Sequence, residues 1–390
     1  MLSVALIGFG SSGGRFLRAL IYRQRFVGDV VLKAVCDSNV DRLKIFSGQE
    51  IKKFNNVDDL LIDDNYDVII VATNENSHFD VLRKIHKYQH KFKRLLVEKL
   101  LVETINQAEM VSEIFSDTDI SVHFVERHSL IVERLMIWMK MKNLQVNRAT
   151  FFWGKNRLND HRPTIGVISE ISHPIDLILM ISRIESDTDF KILGGSYIYS
   201  DFSVSGKQVL DTINVNLKFG ENLIVNGSSS FLWDKRMRKI QLFLTDSTGI
   251  VKYIANITFD NPNWDIDECC IKKINETDGS SSVIEQWKIE QEDLEEELLC
   301  VVKTNKYIEE NIEEIKNGKK SMSLARLSQA RYVQKIIHEI KKDSMKNIIE
   351  TPIFGGLMQN LGKYGECDEL LYNLLEGKND GKEFIKFDKS

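Results

Sequence analysis

Several groups of residues in this chain have types and spacings that can do chemistry. The stretch "RLLVEK" runs apolar and then sets an acid, Glu98, beside an ammonium, Lys99. A lysine next to a bound nicotinamide can give or take the proton of a hydroxyl while hydride leaves the same carbon; a solvated charge pair at a strand end has the same local sequence. Near the start, Gly8-Phe9-Gly10-Ser11-Ser12-Gly13 satisfies G-x-G-x-x-G between an apolar run and a helix-like segment. In that context the glycines allow a tight turn and let a pyrophosphate approach a helix N-terminus, where free N–H groups and the dipole favour an anion. Asp37 ends the next apolar run, where a carboxylate can accept hydrogen bonds from ribose hydroxyls. It would repel a 2′-phosphate, which favours NAD, while Arg42 nearby keeps NADP as the alternative.

Three further groups follow. "VATNENSH" ends an apolar run in Thr73 and Asn74 and sets His78 just inside the next helix; strand carboxyl ends at the switch point of a parallel sheet face a ligand crevice. Thr73 and Asn74 are expected on the nicotinamide side of the cofactor, or else as a polar turn and cap. "TIGVISEISHPIDLILM" gathers Glu170, His173 and Asp176. Pro174 suits a first helical turn, so His173 is expected at the helix entrance, reaching into a cleft or capping the helix. "KNRLNDHR" brings Lys155, Arg157, His161 and Arg162 together, a loop whose arginines suit a phosphate, a carboxylate or a nucleotide-linked sugar.

The elements that must position these groups change character along the chain. Up to about residue 125, short apolar runs alternate with helical segments, which argues for a parallel sheet wrapped by helices. Thr104 and Gln107 form a capping box that starts the helix after Lys99. From about residue 147, longer alternating strands with hairpin turns predict an antiparallel sheet. Two amphipathic helices, about 290–316 and 322–341, close this part, with Gly318 a C-cap candidate. The expected domains are 1–125, 126–345 and a polar appendage, 346–390, with one short helix at "DELLYNLL".

Composition excludes several classes. With 390 residues, 43% hydrophobic content and 4 prolines, the chain is globular in character and long enough for two domains. Its formal charge of −5 is spread along the sequence, which argues against a nucleic-acid partner. The 5 cysteines make neither a C-x-x-C pair nor a metal-ligand spacing with the 8 histidines, so no metal site is expected and a reducing cytoplasm is. The first apolar run reads as a strand rather than a signal peptide, and no run is long enough to span a bilayer.

In order and spacing these motifs resemble the Gfo/Idh/MocA family of glucose–fructose oxidoreductases, inositol dehydrogenases and their relatives. The likeness spans about residues 2 to 342 and rests on the glycine fingerprint, "TNENSH", the "EK" pair and "EISHPID". It implies an α/β chain: an N-terminal Rossmann dinucleotide-binding domain followed by an α+β domain with a large open antiparallel sheet. It also implies NAD(P)-linked oxidation or reduction of a sugar, sugar derivative or cyclitol. Carried over by position, Gly8 to Gly13, Asp37, Thr73, Asn74, His78, Glu98 and Lys99 hold the cofactor. Lys99 transfers the proton, His173 assists it, and Glu170 stands where the family usually has aspartate. Asp176 matches the acid after the histidine and joins them around the substrate, where Arg157 and Arg162 are also expected from their loop's place beside the cleft.

Two prolines of the family pattern are absent. Leu100 follows Lys99, and a cis peptide there would cost roughly 2.5–4 kcal/mol without proline, so an ordinary trans bond or a loosened lysine is expected. The resemblance also leaves room for a cofactor-binding regulator without turnover, and for an imine reductase of a natural-product pathway. A homodimer or homotetramer formed through the open sheet is expected.

Overall fold

The structure, a computed structural model, describes residues 1–48, 50–158, 164–203, 208–346, 348–351 and 353. In chain order the elements are β1 (Leu2–Ile7), α1 (Ser11–Tyr22), β2 (Val30–Cys36), β3 (Lys52–Phe54), α2 (Val57–Asp63), β4 (Val68–Val71), α3 (Glu75–His86), β5 (Arg94–Glu98), α4 (Ile105–Ile114) and β6 (Ile120–His123). Then come α5 (Leu130–Met141), β7 (Gln145–Asn156), α6 (Ile168–Ile181), β8 (Phe190–Ser200), β9 (Val209–Phe219), β10 (Leu223–Ser230) and β11 (Leu232–Thr245). The last are β12 (Val251–Thr258), β13 (Glu268–Ile274), β14 (Ser281–Lys288), α7 (Val302–Asn317), β15 (Ala325–Arg326), α8 (Leu327–Ser344) and β16 (Ile348–Glu350). Arg162 and His161 lie outside the described residues, as do Cys367 and "DELLYNLL".

The described residues fall into two units. Unit 1 holds residues 1–128 and 291–334, and its strands run in the order β15-β6-β5-β4-β1-β2-β3. β1 to β6 are parallel and follow the 3-2-1-4-5-6 order of a Rossmann sheet, with β15 added antiparallel at the β6 edge. β4 and β5 are buried along nearly their whole length, as a strand covered on both faces must be.

Residues 291–334 were expected in the second domain, but α7 packs with the Rossmann sheet. Its Ile308 and Ile312 join Phe16, Leu17 and Leu20 of α1 in one core, each burial stabilising by roughly 1.5–3 kcal/mol. Polar groups fasten the same helix to the sheet. Arg94 of β5 donates to Asn311 and Glu314 at 3.1 and 3.0 Å, and Ser121 of β6 donates to Asn311 at 2.7 Å. Gly318 ends α7 at φ +69°, the left-handed conformation that a C-cap glycine supplies.

Unit 2 holds residues 129–290 together with the end of α8 and β16. Its sheet runs β14-β13-β12-β11-β7-β10-β9-β8-β16 among the described residues. It is mostly antiparallel as expected, but β7 pairs with β10 and β8 with β16 in parallel. β13 and β14 are two strands that hydropathy alone missed: "ECCIKKI" and "SSVIEQWK" mix charges and apolar residues because they are the outer strands of the sheet. α6 lies on the buried face of β7 and is itself buried throughout.

Candidate functional site

In unit 1, parallel strands bring four of the groups to one edge. β1, β2, β4 and β5 all end there, so the glycine loop, Asp37, Thr73 with Asn74, and Glu98 with Lys99 follow four strand ends on the same side of the sheet. β1 and β4 flank the point where strand order reverses, the place where such sheets bind ligands.

Close packing explains the glycines. Gly8 has φ +91°, and a Cβ there would lie 2.5 Å from the Thr73 nitrogen; one at Gly13 would lie 2.2 Å from the Gly8 carbonyl oxygen. At Gly10 the nearest atom to such a carbon is Arg42 Nη1 at 3.9 Å, so this glycine marks the open side of the loop. Gly10 also precedes α1, whose first turn carries neither a side-chain cap nor an acidic residue. Ser11, Ser12 and Gly13 thus open a helix whose N-terminus suits a pyrophosphate.

Asp37 stands beside this loop. Its Oδ2 accepts from the Phe9 N–H at 2.6 Å and its Oδ1 from the Asn39 N–H at 2.8 Å, with Arg42 Nη1 at 3.5 Å. The carboxylate therefore shapes the loop, and ribose hydroxyls would use its remaining lone pairs. These residues fit a dinucleotide.

His78 is fully buried. Its Nε2 lies 2.9 Å from the Thr73 carbonyl and its Nδ1 2.8 Å from that of Leu100, so it ties the end of β4 to the turn after Lys99. Asn74 caps α3 through the Ser77 N–H at 3.2 Å. The Lys99–Leu100 peptide is cis, in place of the expected trans bond.

Glu98 has a partner that sequence reasoning missed. His123, its neighbour in the β5–β6 register, lies 2.9 Å away through Nδ1. Burial pushes the Glu98 carboxyl up, but His123, Lys99 and Arg15 more than offset this and hold it below the usual range. Behind His123 stand Tyr307 and His128, with ring centroids 4.5 and 6.2 Å away. Burial pushes His128 down to about 4, against the opposing pull of Glu310.

In unit 2, α6 begins at Ile168, so His173 sits in the second turn rather than at the helix entrance. Pro174 is inside the helix, and lacking an N–H it leaves the Glu170 carbonyl without its usual helical donor. Gly166, at φ +96°, makes the turn ahead of the helix and accepts from Ser169 Oγ at 3.1 Å.

Glu170 lies against two cations: Lys155 Nζ is 2.8 Å from its Oε1, and Arg238 Nη2 is 3.7 Å from its Oε2. Trp153 stacks on His173 with centroids 6.0 Å apart. Asp176 is wholly buried, and Arg157 lies 4.9 Å above the Phe231 ring. Arg238 carried no local signal, because it reaches Glu170 only through the pairing of β11 with β7.

A sheet in Rossmann order with a glycine cradle and a strand-end acid at its switch point defines a dinucleotide-binding class of domain. Residues 2–124 match the model of the Gfo/Idh/MocA family, described as an oxidoreductase family with an NAD-binding Rossmann fold. Comparison with curated protein sequences gives no match.

Among solved structures, the chain is similar to UDP-N-acetylglucosamine 3-dehydrogenase GnnA from Acidithiobacillus ferrooxidans, with 15% identity and TM-score 0.64 over 88% of this chain and 97% of that one. It is also similar to the dehydrogenase MviM from Clostridium difficile, with 16% identity and TM-score 0.65 over 87% and 99%. The transcriptional regulator Gal80p from Kluyveromyces lactis matches at 13% identity and TM-score 0.69 over 88% and 90%. These likenesses establish the fold.

Among the described residues the cysteines form no disulfide, and no helix is long and apolar enough to cross a membrane.

Proposed function

We propose that this protein is a cytoplasmic NAD-dependent dehydrogenase acting on a hydroxyl of a sugar or sugar derivative, with nucleotide-linked sugars the first class to test. The observation that carries this reading is the placing of Lys99 on the sheet edge that also bears the Gly8–Gly13 cradle, with Glu98 held ionised beside it. NAD, when bound, supplies the hydride acceptor. In the oxidative direction Lys99 takes the hydroxyl proton, and Glu98, fixed by His123, keeps a negative charge beside the ammonium that results. Within unit 2, Trp153 stacks on the His173 ring, and we assign His173, Glu170 and Arg157 to substrate binding.

The test is reduction of NAD by the purified protein, followed by nicotinamide absorbance, over a panel led by UDP-N-acetylglucosamine and extended to free sugars, cyclitols and imines. Reduction with a sugar hydroxyl supports the reading. NAD binding without reduction by any compound favours a non-catalytic regulator, a reading that the structural likeness to Gal80p keeps in view.

We also infer that a second copy of the chain covers the large sheet. One row crosses five adjacent strands as Asn216, Asn226, Thr150, Gln241 and Asn256. Asn226 donates to Asn216 at 2.6 Å and Gln241 to Asn256 at 2.7 Å. Phe152, 46% exposed, lies on the same face, the mix of amide ladder and aromatic that suits a self-complementary contact.

A further inference from the structure

Residues two apart on β7 meet residues three apart on α6. Trp153 and Lys155 share one face of the strand, and Glu170 and His173 lie one turn apart on the helix. Trp153 stacks on His173, and Lys155 binds Glu170. The two contacts form a grid that fixes Glu170 and His173 relative to each other.

The neighbouring strand completes it. Arg238 of β11 is the cross-strand partner of Trp153 and lies 5.4 Å from its ring centroid. It divides its charge between Glu170 and a direct ion pair with Asp260. The Lys155 side chain is 27% exposed, whereas that of Arg238 is 3% exposed. An ammonium has three donors, so Lys155 can hold Glu170 and still meet a bound molecule.

We propose that Lys155 is a positioning residue for the substrate: its ammonium fixes the Glu170 carboxylate beside His173, and substrate is bound productively only while that ammonium is charged. The proposal rests on the reading above that Glu170 and His173 meet the substrate.

Among the described residues, the titratable and charged groups around Lys155 are Glu170 and His173 on α6, Arg238 on β11, and Arg157 just past the end of β7, with the Phe231 ring 5.9 Å away. Burial pushes the ammonium down, Glu170 pulls it back up, and Arg238 and Arg157 add to the downward push, leaving it at about 8. An arginine here would hold its charge at any working pH; a lysine can lose it just above neutrality. Lys155 therefore gives this face an alkaline limit of its own.

Competitive acylation of the full chain with acetic anhydride, read at Lys155 by mass spectrometry, tests the device without any substrate. The expected result is a reactivity midpoint about two pH units below the ordinary lysine value of about 10.4, and a lower one still in Glu170→Gln. An ordinary midpoint in both proteins overturns the proposal.

With UDP-N-acetylglucosamine and NAD as probes, Lys155→Met should lower kcat/KM by about tenfold or more, the loss that follows removal of a charged hydrogen bond. The KM for NAD should stay unchanged. Lys155→Arg should restore most of the activity and move the alkaline fall-off upward; a Lys155→Met enzyme equal to wild type overturns the proposal. A wild-type protein that never reduces NAD, yet whose Lys155 titrates early, would refute the dehydrogenase reading and leave the Lys155–Glu170 device standing.

Discussion

Glu98 Oε2 lies 2.9 Å from His123 Nδ1, and the two residues are direct partners in the parallel register of β5 and β6. The acid beside Lys99 is thus fixed by the neighbouring strand. A double-mutant cycle with His123→Phe and Glu98→Gln should give a coupling energy of about 0.5–3 kcal/mol in urea unfolding, as for groups in one buried network. Strictly additive losses would mean that the pair contributes nothing.

His128 sets an acid limit on stability. Its imidazole is buried and held at about 4, below the unfolded value of about 6.5, so the unfolded chain binds the extra proton between those two values. Stability should therefore fall as pH drops through that window and gain no further loss from this group below it. Chemical denaturation of His128→Gln against wild type should show an acid limb shallower by about 3 kcal/mol. Parallel curves would contradict the assignment.

The two loop glycines should separate folding from cofactor binding. Gly13→Ala drives a carbon against the Gly8 carbonyl oxygen and should lower both Tm and NAD affinity. Gly10→Ala meets only the end of Arg42, at a φ of −95° that alanine adopts freely. It should leave Tm nearly unchanged while weakening NAD binding by about tenfold, roughly 1.4 kcal/mol, in calorimetric titration.

Asp37 and Arg42 should decide between the two nicotinamide cofactors. Asp37→Asn keeps an acceptor for the Phe9 N–H but removes the charge that repels a 2′-phosphate and pairs with Arg42. The ratio of NADP to NAD affinity should rise by about tenfold. No change in that ratio would remove Asp37 from cofactor discrimination.

Light scattering on the purified chain should give at least a dimer mass. In a dimeric wild type, Phe152→Lys on the sheet face should shift the mass toward monomer without loss of secondary structure. A monomeric wild-type mass would contradict the covered-face reading.

What the sequence revealed was local. The Thr104–Gln107 box forms with both of its hydrogen bonds, and the glycine cradle forms between a strand and a helix, because each depends on residues a few positions apart. The Glu98–His123 contact depends on strand register, and that of Arg238 with Glu170 on which strand lies beside β7; neither leaves a trace in spacing. Pro174 suggested a helix entrance and proved to be internal, since a helix can lose one hydrogen bond and continue. The return of α7 to unit 1 was hidden for a related reason. Its apolar stripe says that it must be buried, and residues far away in sequence, among them Phe16, Arg94 and Ser121, say against what.

In the proposed reaction Lys99 moves the substrate proton on the NAD-binding edge. The most direct measurement compares Lys99→Met with wild type in two assays at once, NAD affinity by calorimetry and NAD reduction with an active sugar substrate. Lys99→Met should bind NAD with near-equal affinity and turn over more slowly by about 10²–10⁴-fold, the usual contribution of a proton-transferring side chain. Turnover equal to wild type, with substrate and cofactor both bound, would contradict it.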